Sequence, residues 1–214
     1  MEMNGRHPIP IYLFAKAPEP HQVKTRMQPS LSARRSAGLA AMMLEETMSK
    51  VSEHWAGERI LAAAPDTDHP ALKHLAGRYR FRLEAQIQGD LGVKMWHALE
   101  QGIARSGGAA VLGSDVPHIP GHVIGDTYQH ICKGRSVVGP ALDGGFYVLG
   151  LAVLAKGIFA NIKWSTGSVY DSLKRNAKSS DILLAEHPIL RDIDNIEDLR
   201  WLANRNARYR KFLT

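Results

Sequence analysis

Apolar positions along this chain follow two rhythms. Short continuous runs near residues 9–15, 59–64, 109–113 and 136–139 have the length and composition of strands buried on both faces. Phe146-Tyr147-Val148-Leu149 continues the pattern after an Asp-Gly-Gly turn. Longer stretches near 32–54, 91–106, 121–133, 167–178 and 196–207 return an apolar residue every three or four positions, the period of an amphipathic helix. In the first of these, Leu39, Met42, Met43, Met48 and Val51 form a stripe that reads as core packing rather than as a cofactor contact. Strands alternating with helices predict an α/β fold with a mainly parallel sheet.

Local chemistry punctuates these elements. Ser30 or Ser32 starts the first helix, and Gly107-Gly108 ends the helix before Ala109-Ala110-Val111-Leu112. Asp194 with Glu197, or Asn195 with Asp198, offers a capping pair for the last helix. Trp164-Ser165-Thr166 is expected to open the helix at 167–178, with Ser165 or Thr166 as its cap. No repeat, low-complexity tract or linker divides the sequence, so one domain is expected over 1–214.

Composition narrows the possible partners. Hydrophobic residues at 44% and charged residues at 22% suit a globular chain, and the net charge of +6 suits an anionic partner. The excess is concentrated in Arg200, Arg205, Arg208, Arg210 and Lys211, with more in Arg34-Arg35 and Arg78 to Arg82. No RNP motif, zinc-finger spacing or recognition-helix pattern accompanies it, so a phosphorylated small molecule is favoured and no nucleic acid is expected. Cys132 is the sole cysteine, which excludes an intrachain disulfide and a multi-cysteine zinc site and points to a reducing compartment. Residues 1–10, with Glu2, Arg6, His7, Pro8 and Pro10, lack the apolar core of a signal peptide, and the run Phe146 to Ala155 is too short to span a bilayer. A cytoplasmic protein without a membrane span is expected.

Candidate chemistry gathers where strands end. Ile11 to Phe14 runs into a loop bearing Lys16, Lys24 and Arg26, stiffened by Pro18 and Pro20. Three cations there can converge on a di- or triphosphate, although the glycines of a P-loop are missing. Asp115 follows the buried run Val111-Leu112-Gly113, at a position where open parallel sheets bind ligands. Its carboxylate suits Mg²⁺ or Mn²⁺, or alternatively caps the turn to Pro117. Asp143 sits beside Gly144 and Gly145, which permit close approach of a substrate, and Asp192 and Asp194 precede the last helix. His118 and His122 have the spacing of a helical zinc pair, but Pro120 and Gly121 intervene and argue against one. No G-x-S-x-G elbow is present.

The motifs Phe14-Ala15-Lys16-Ala17-Pro18, Val23-Lys24-Thr25-Arg26, Gly89-Asp90-Leu91-Gly92, Gly113-Ser114-Asp115-Val116-Pro117, Asp143-Gly144-Gly145-Phe146-Tyr147, Trp164-Ser165-Thr166 and Arg191-Asp192-Ile193-Asp194 occur in this order. Together they resemble the DUF2064 family, also labelled radical-SAM/selenodomain-associated transferase 1, within the GT-A superfamily. The resemblance implies a three-layer, Rossmann-like GT-A fold of the nucleotide-diphospho-sugar transferase type. It further implies nucleotide or phosphate contacts at Ala15, Lys16, Ala17, Lys24, Thr25, Arg26, Gly89, Asp90 and Ser114. Substrate contacts would fall at Gly144, Gly145, Trp164, Ser165 and Thr166. Asp115 would anchor a divalent cation with Asp194 or Asp192, Asp143 would be the base or sugar-orienting acid, and Lys24 and Arg26 would neutralise the leaving group. The resemblance leaves the reaction open, and glycosyl transfer from a nucleotide sugar to a small-molecule acceptor is the expectation preferred here. Nucleotidyl transfer from an NTP to a phosphorylated acceptor is the alternative, because Asp115-Val116-Pro117 is closer to an Asp-x-Pro than to an Asp-x-Asp motif, and a non-catalytic nucleotide-binding module is a third reading. His21 stands where the family's first loop usually has glycine.

Overall fold

The computed structural model describes residues 7–213. The expectations resting on Glu2 and Arg6 lie outside the described residues. Seven strands form one sheet: β1 (Pro10–Lys16), β2 (Glu58–Ala64), β3 (Arg82–Ala85), β4 (Ala109–Gly113), β5 (Ser136–Pro140), β6 (Phe146–Leu151) and β7 (Leu184–Glu186). Their order is β3-β2-β1-β4-β6-β5-β7. All pairings are parallel except those of β6, which runs antiparallel to β4 and β5. The mainly parallel α/β fold expected from the alternating pattern is therefore present.

Helices cover both faces. They are α1 (Ala33–His54), α2 (Pro70–Tyr79), α3 (Leu91–Ser106), α4 (Gly121–Cys132), α5 (Val169–Ser179) and α6 (Ile196–Arg205). On β1, Ile11, Leu13 and Ala15 join the cluster containing Leu44, Met48 and Val51 of α1 with Val123 and Ile124 of α4. Tyr12 points the other way, into the cluster with Met95 and Leu99 of α3 and Leu173 of α5. This is the two-residue alternation of a central strand whose two faces are both buried, and it produces three layers. Met27, Leu39, Met42 and Met43 form a third cluster with Leu199, Leu202 and Tyr209, so the methionine stripe is core, divided between two neighbours. Among the described residues, no helix is long and apolar enough to cross a membrane.

Several boundaries have clear physical causes. Ser32 accepts a hydrogen bond from the Arg35 N–H and starts α1. Gly107 closes α3 in the left-handed conformation at φ 73°. Asn195 and Asp198 exchange side-chain and backbone bonds in a capping box at α6, of the two pairs the sequence offered. The last helix ends at Arg205 rather than 207, and Asn206 turns the chain into a short 3-10 segment, Ala207–Phe212.

One expected helix start is corrected. Neither Ser165 nor Thr166 caps α5, which begins at Val169. Ser165 has a positive φ of 61°, and the Thr166 hydroxyl donates to the Lys163 carbonyl at 2.7 Å. Trp164 to Ser168 is thus a loop held by its own hydroxyls, which satisfy local groups instead of helix N–H groups. The elements α2, β3 and β7 add to those expected. The edge strands β3 and β7 have only four and three residues, too few to express a clear period.

Candidate active site

The carboxyl ends of β1 and β4, the β5–β6 turn and the segment before α6 meet at one edge of the sheet. Their approach is fixed by backbone bonds. The Ile193 N–H donates to the Asp115 carbonyl at 2.9 Å, and Leu142 N–H donates to Leu190 carbonyl at 2.9 Å. The chain before α6 is thereby tied both to the end of β4 and to the turn carrying Asp143.

Asp143, Asp192 and Asp194 each offer a carboxylate oxygen within 4.8 Å of the other two. Asp143 is exposed and Asp192 and Asp194 are half-buried. Burial, and then the neighbouring Asp143 carboxylate, push the Asp192 carboxyl up to about 6. Hard carboxylate oxygens converging at a strand end, with one of them unable to carry its charge comfortably, fit a divalent cation such as Mg²⁺ or Mn²⁺. Asn195 with Asp198, not Asp194, forms the helix cap, so the Asp194 carboxylate faces this group rather than the helix N–H groups.

Asp115 lies next to this group but is engaged elsewhere. The Lys24 ammonium donates to Asp115 Oδ1 at 2.6 Å, to the Ile193 carbonyl at 2.6 Å and to Asp194 Oδ1 at 3.0 Å. The Lys24 side chain is only 8% exposed. Burial works against its charge, but Asp115 and Asp194 outweigh it and hold the ammonium above the usual lysine range. Arg26, largely exposed, lies 3.5 Å from Asp194 Oδ2. The left-handed backbone of Lys24, φ 47° and ψ 40°, turns its side chain into this position at a cost of about 1–2 kcal/mol.

The remaining predicted residues form the flanks. Ala15 and Ala17 are buried, and Ala17 N–H bonds to the Ala64 carbonyl at 2.7 Å. Lys16 is exposed at the end of β1, and Thr25 opens a 3-10 turn whose carbonyl accepts from Gln28. Ser114 is half-buried just beyond β4. The Asp90 carboxylate accepts from Val93 N–H at 2.9 Å and caps α3, beside Gly89 at φ 128°. Gly145 N–H donates to Asp143 Oδ1 at 2.7 Å and fixes that carboxylate within its turn.

Two close contacts link these flanks. A Cβ on Gly92 would lie 2.7 Å from the Trp164 ring, and one on Gly144 would lie 2.1 Å from the Gly167 carbonyl oxygen. The loop 164–168 thus rests on the start of α3 at one end and on the Asp143 turn at the other. Lys24, Arg26, Asp115, Asp143, Asp192 and Asp194 come together, whereas Asp90 and Trp164 belong to this flanking wall. The Ile193 carbonyl and Gly167 were absent from the sequence reading. A backbone acceptor leaves no trace in residue type, and Gly167 resembles any loop glycine.

Family comparison identifies the chain. The profile of DUF2064, described as an uncharacterized protein conserved in bacteria, matches residues 47–166, more than half of the sequence. The chain belongs to DUF2064. No curated protein matches it at a significant level. Among solved structures, this DUF2064 chain is similar to a candidate nucleotide-diphospho-sugar transferase from Desulfovibrio desulfuricans G20. The identity is 24% and the TM-score 0.83, with 95% of this chain and 90% of that one covered. It is also similar to a cytidylyltransferase from Leptospira borgpetersenii, with 12% identity, TM-score 0.61 and coverage of 97% and 93%. Rv0371c of Mycobacterium tuberculosis, in a manganese complex, has 13% identity and TM-score 0.54 over 92% and 98% of the chains. At these identities the likeness establishes the fold alone, a Rossmann-like α/β arrangement.

Proposed function

We propose that this DUF2064 protein is a divalent-cation-dependent transferase that uses a nucleotide-activated donor, and that it transfers a glycosyl group from a nucleotide sugar to a small-molecule acceptor. The observation carrying this reading is the convergence of Asp143, Asp192 and Asp194 beside the Lys24–Arg26 loop at the strand-end edge of the sheet. Acidic groups for a cation and basic groups for a phosphate are the complementary halves of a metal–diphosphate site. A manganese complex and a candidate nucleotide-sugar transferase among proteins of this fold support it.

In this reading Asp192 and Asp194 hold the cation together with Asp143, and Asp115 anchors Lys24. The bound cation supplies Lewis-acid stabilisation of the charge that develops on the departing nucleoside diphosphate. Lys16 and Arg26, both exposed, neutralise the phosphates from the side of β1. The exposed Asp143 also faces the acceptor side, where its carboxylate orients an acceptor hydroxyl. Trp164 to Thr166 and Gly144-Gly145 bound the space for the transferred group.

Nucleotidyl transfer is the second reading, favoured by the cytidylyltransferase that shares the fold over nearly the whole chain. The released product separates the two: nucleoside diphosphate for glycosyl transfer, pyrophosphate for nucleotidyl transfer. The first experiment is thermal unfolding against nucleotide sugars and nucleoside triphosphates, with and without Mn²⁺. A ligand at a hundred times its Kd stabilises by about 2.7 kcal/mol, a shift of several degrees. Stabilisation that needs Mn²⁺ and is lost in Asp194→Asn is the expected result. No shift by any nucleotide in the presence of Mn²⁺ would refute nucleotide use.

A further inference from the structure

Lys24 has the residue type of a phosphate ligand but the surroundings of a counter-ion. An ammonium has three N–H donors. All three have acceptors at bonding distance here: Asp115 Oδ1, the Ile193 carbonyl and Asp194 Oδ1. None remains for a phosphate in this arrangement. The carboxylate of Asp194 is, moreover, shared, because it also belongs to the group formed with Asp143 and Asp192. A cation bound among those three acids and the Lys24 ammonium draw on the same carboxylate and repel each other across it.

We propose that Lys24 is a tethered counter-ion that holds Asp115 and Asp194 together and competes with the divalent cation for Asp194. Binding of the cation releases the Lys24 ammonium from Asp194, and a donor with a diphosphate then offers it a new anionic partner. Arg26, 71% exposed and at 3.5 Å, shares Asp194 only weakly. The inference rests on the acid group being a metal site, as proposed above.

The test is Mn²⁺ affinity, read from the electron paramagnetic resonance signal of free Mn²⁺, for the wild-type protein and for Lys24→Met, Lys24→Gln and Lys24→Arg. Removal of the competing charge in Lys24→Met should tighten Mn²⁺ binding by about tenfold or more, while Lys24→Arg, which keeps the charge, stays near wild type. Lys24→Gln retains a donor for the Ile193 carbonyl and serves the same comparison if the methionine variant fails to fold. Saturating Mn²⁺ should also raise the Tm of the uncharged variants more than that of the wild type. Equal or weaker Mn²⁺ binding in folded uncharged variants would overturn the counter-ion role while leaving the metal site standing. Absence of Mn²⁺ binding in all four proteins would overturn both.

Discussion

His118 gives stability a pH dependence that can be calculated. The ring stacks edge-on against Trp201 at 4.9 Å, and both of its nitrogens are buried without a hydrogen-bond partner. Burial, reinforced by the charge of Lys50 and more weakly by Arg205 and Arg191, and opposed by Glu46, lowers its pKa from 6.5 to about 4. Between those values the unfolded chain binds a proton that the folded protein refuses, so stability falls as pH falls. At pH 5 the two titration curves differ by about 2 kcal/mol, against nearly nothing at pH 7.5. The perturbation is His118→Phe, which retains a ring against Trp201 and cannot titrate. Urea unfolding of both proteins at pH 7.5 and 5.0 should show the wild type losing about 2 kcal/mol relative to the variant. Asp192, whose raised pKa favours the folded state as pH falls through 6, acts in the opposite direction, but it is present in both proteins and cancels in the comparison. Parallel pH dependences would show that the ring takes up its proton without penalty and would refute the reasoning.

Three further outcomes follow from the contacts around the site. Gly144→Ala should destabilise by about 2–4 kcal/mol, combining a positive φ of 84° with the clash on the Gly167 carbonyl, and should weaken Mn²⁺ binding because the Asp143 turn moves; denaturant unfolding and Mn²⁺ titration check it. Gly92→Ala must displace the Trp164 ring, at about 1–3 kcal/mol, and the change in indole environment is readable as a shift in tryptophan emission. His21→Gly should stabilise by about 1 kcal/mol, since His21 holds φ 66°, and an unchanged or lower Tm would count against strain at that residue.

The sequence revealed the frame more fully than the contacts. Central strands and helices were legible because burial on both faces and a period near 3.6 leave long signatures, as in Tyr12 and Leu13 on β1 or Leu39 to Val51 on α1. The short edge strands and α2 had too few residues to do so. At the site, strand-end position and loop charge brought forward Lys24, Asp115, Asp143, Asp192 and Asp194, yet their pairing was hidden. Nothing in residue order says that the Asp115 carbonyl accepts from Ile193, or that Lys24 turns toward acids instead of remaining in solvent. The His21 substitution was legible, and its physical meaning was not: the position has a left-handed backbone, which explains a glycine preference by conformation alone. The Trp164 loop misled because Ser and Thr serve loop closure as readily as helix capping.

The three clustered acids come from chain segments that are far apart, Asp143 in the β5–β6 turn and Asp192 with Asp194 just ahead of α6. The group is complete only when the segment before α6 is seated against β4 and the Asp143 turn. It is held there by the bonds from Ile193 N–H to the Asp115 carbonyl and between Leu190 and the Pro140–Leu142 strand end. Concentrated negative charge therefore exists only while that segment is seated, and Lys24, from a distant part of the chain, lies against it there. Packing of Ile193, Leu199 and Leu202 offsets the like-charge repulsion, and any local opening that unseats the segment takes the cation cluster apart with it.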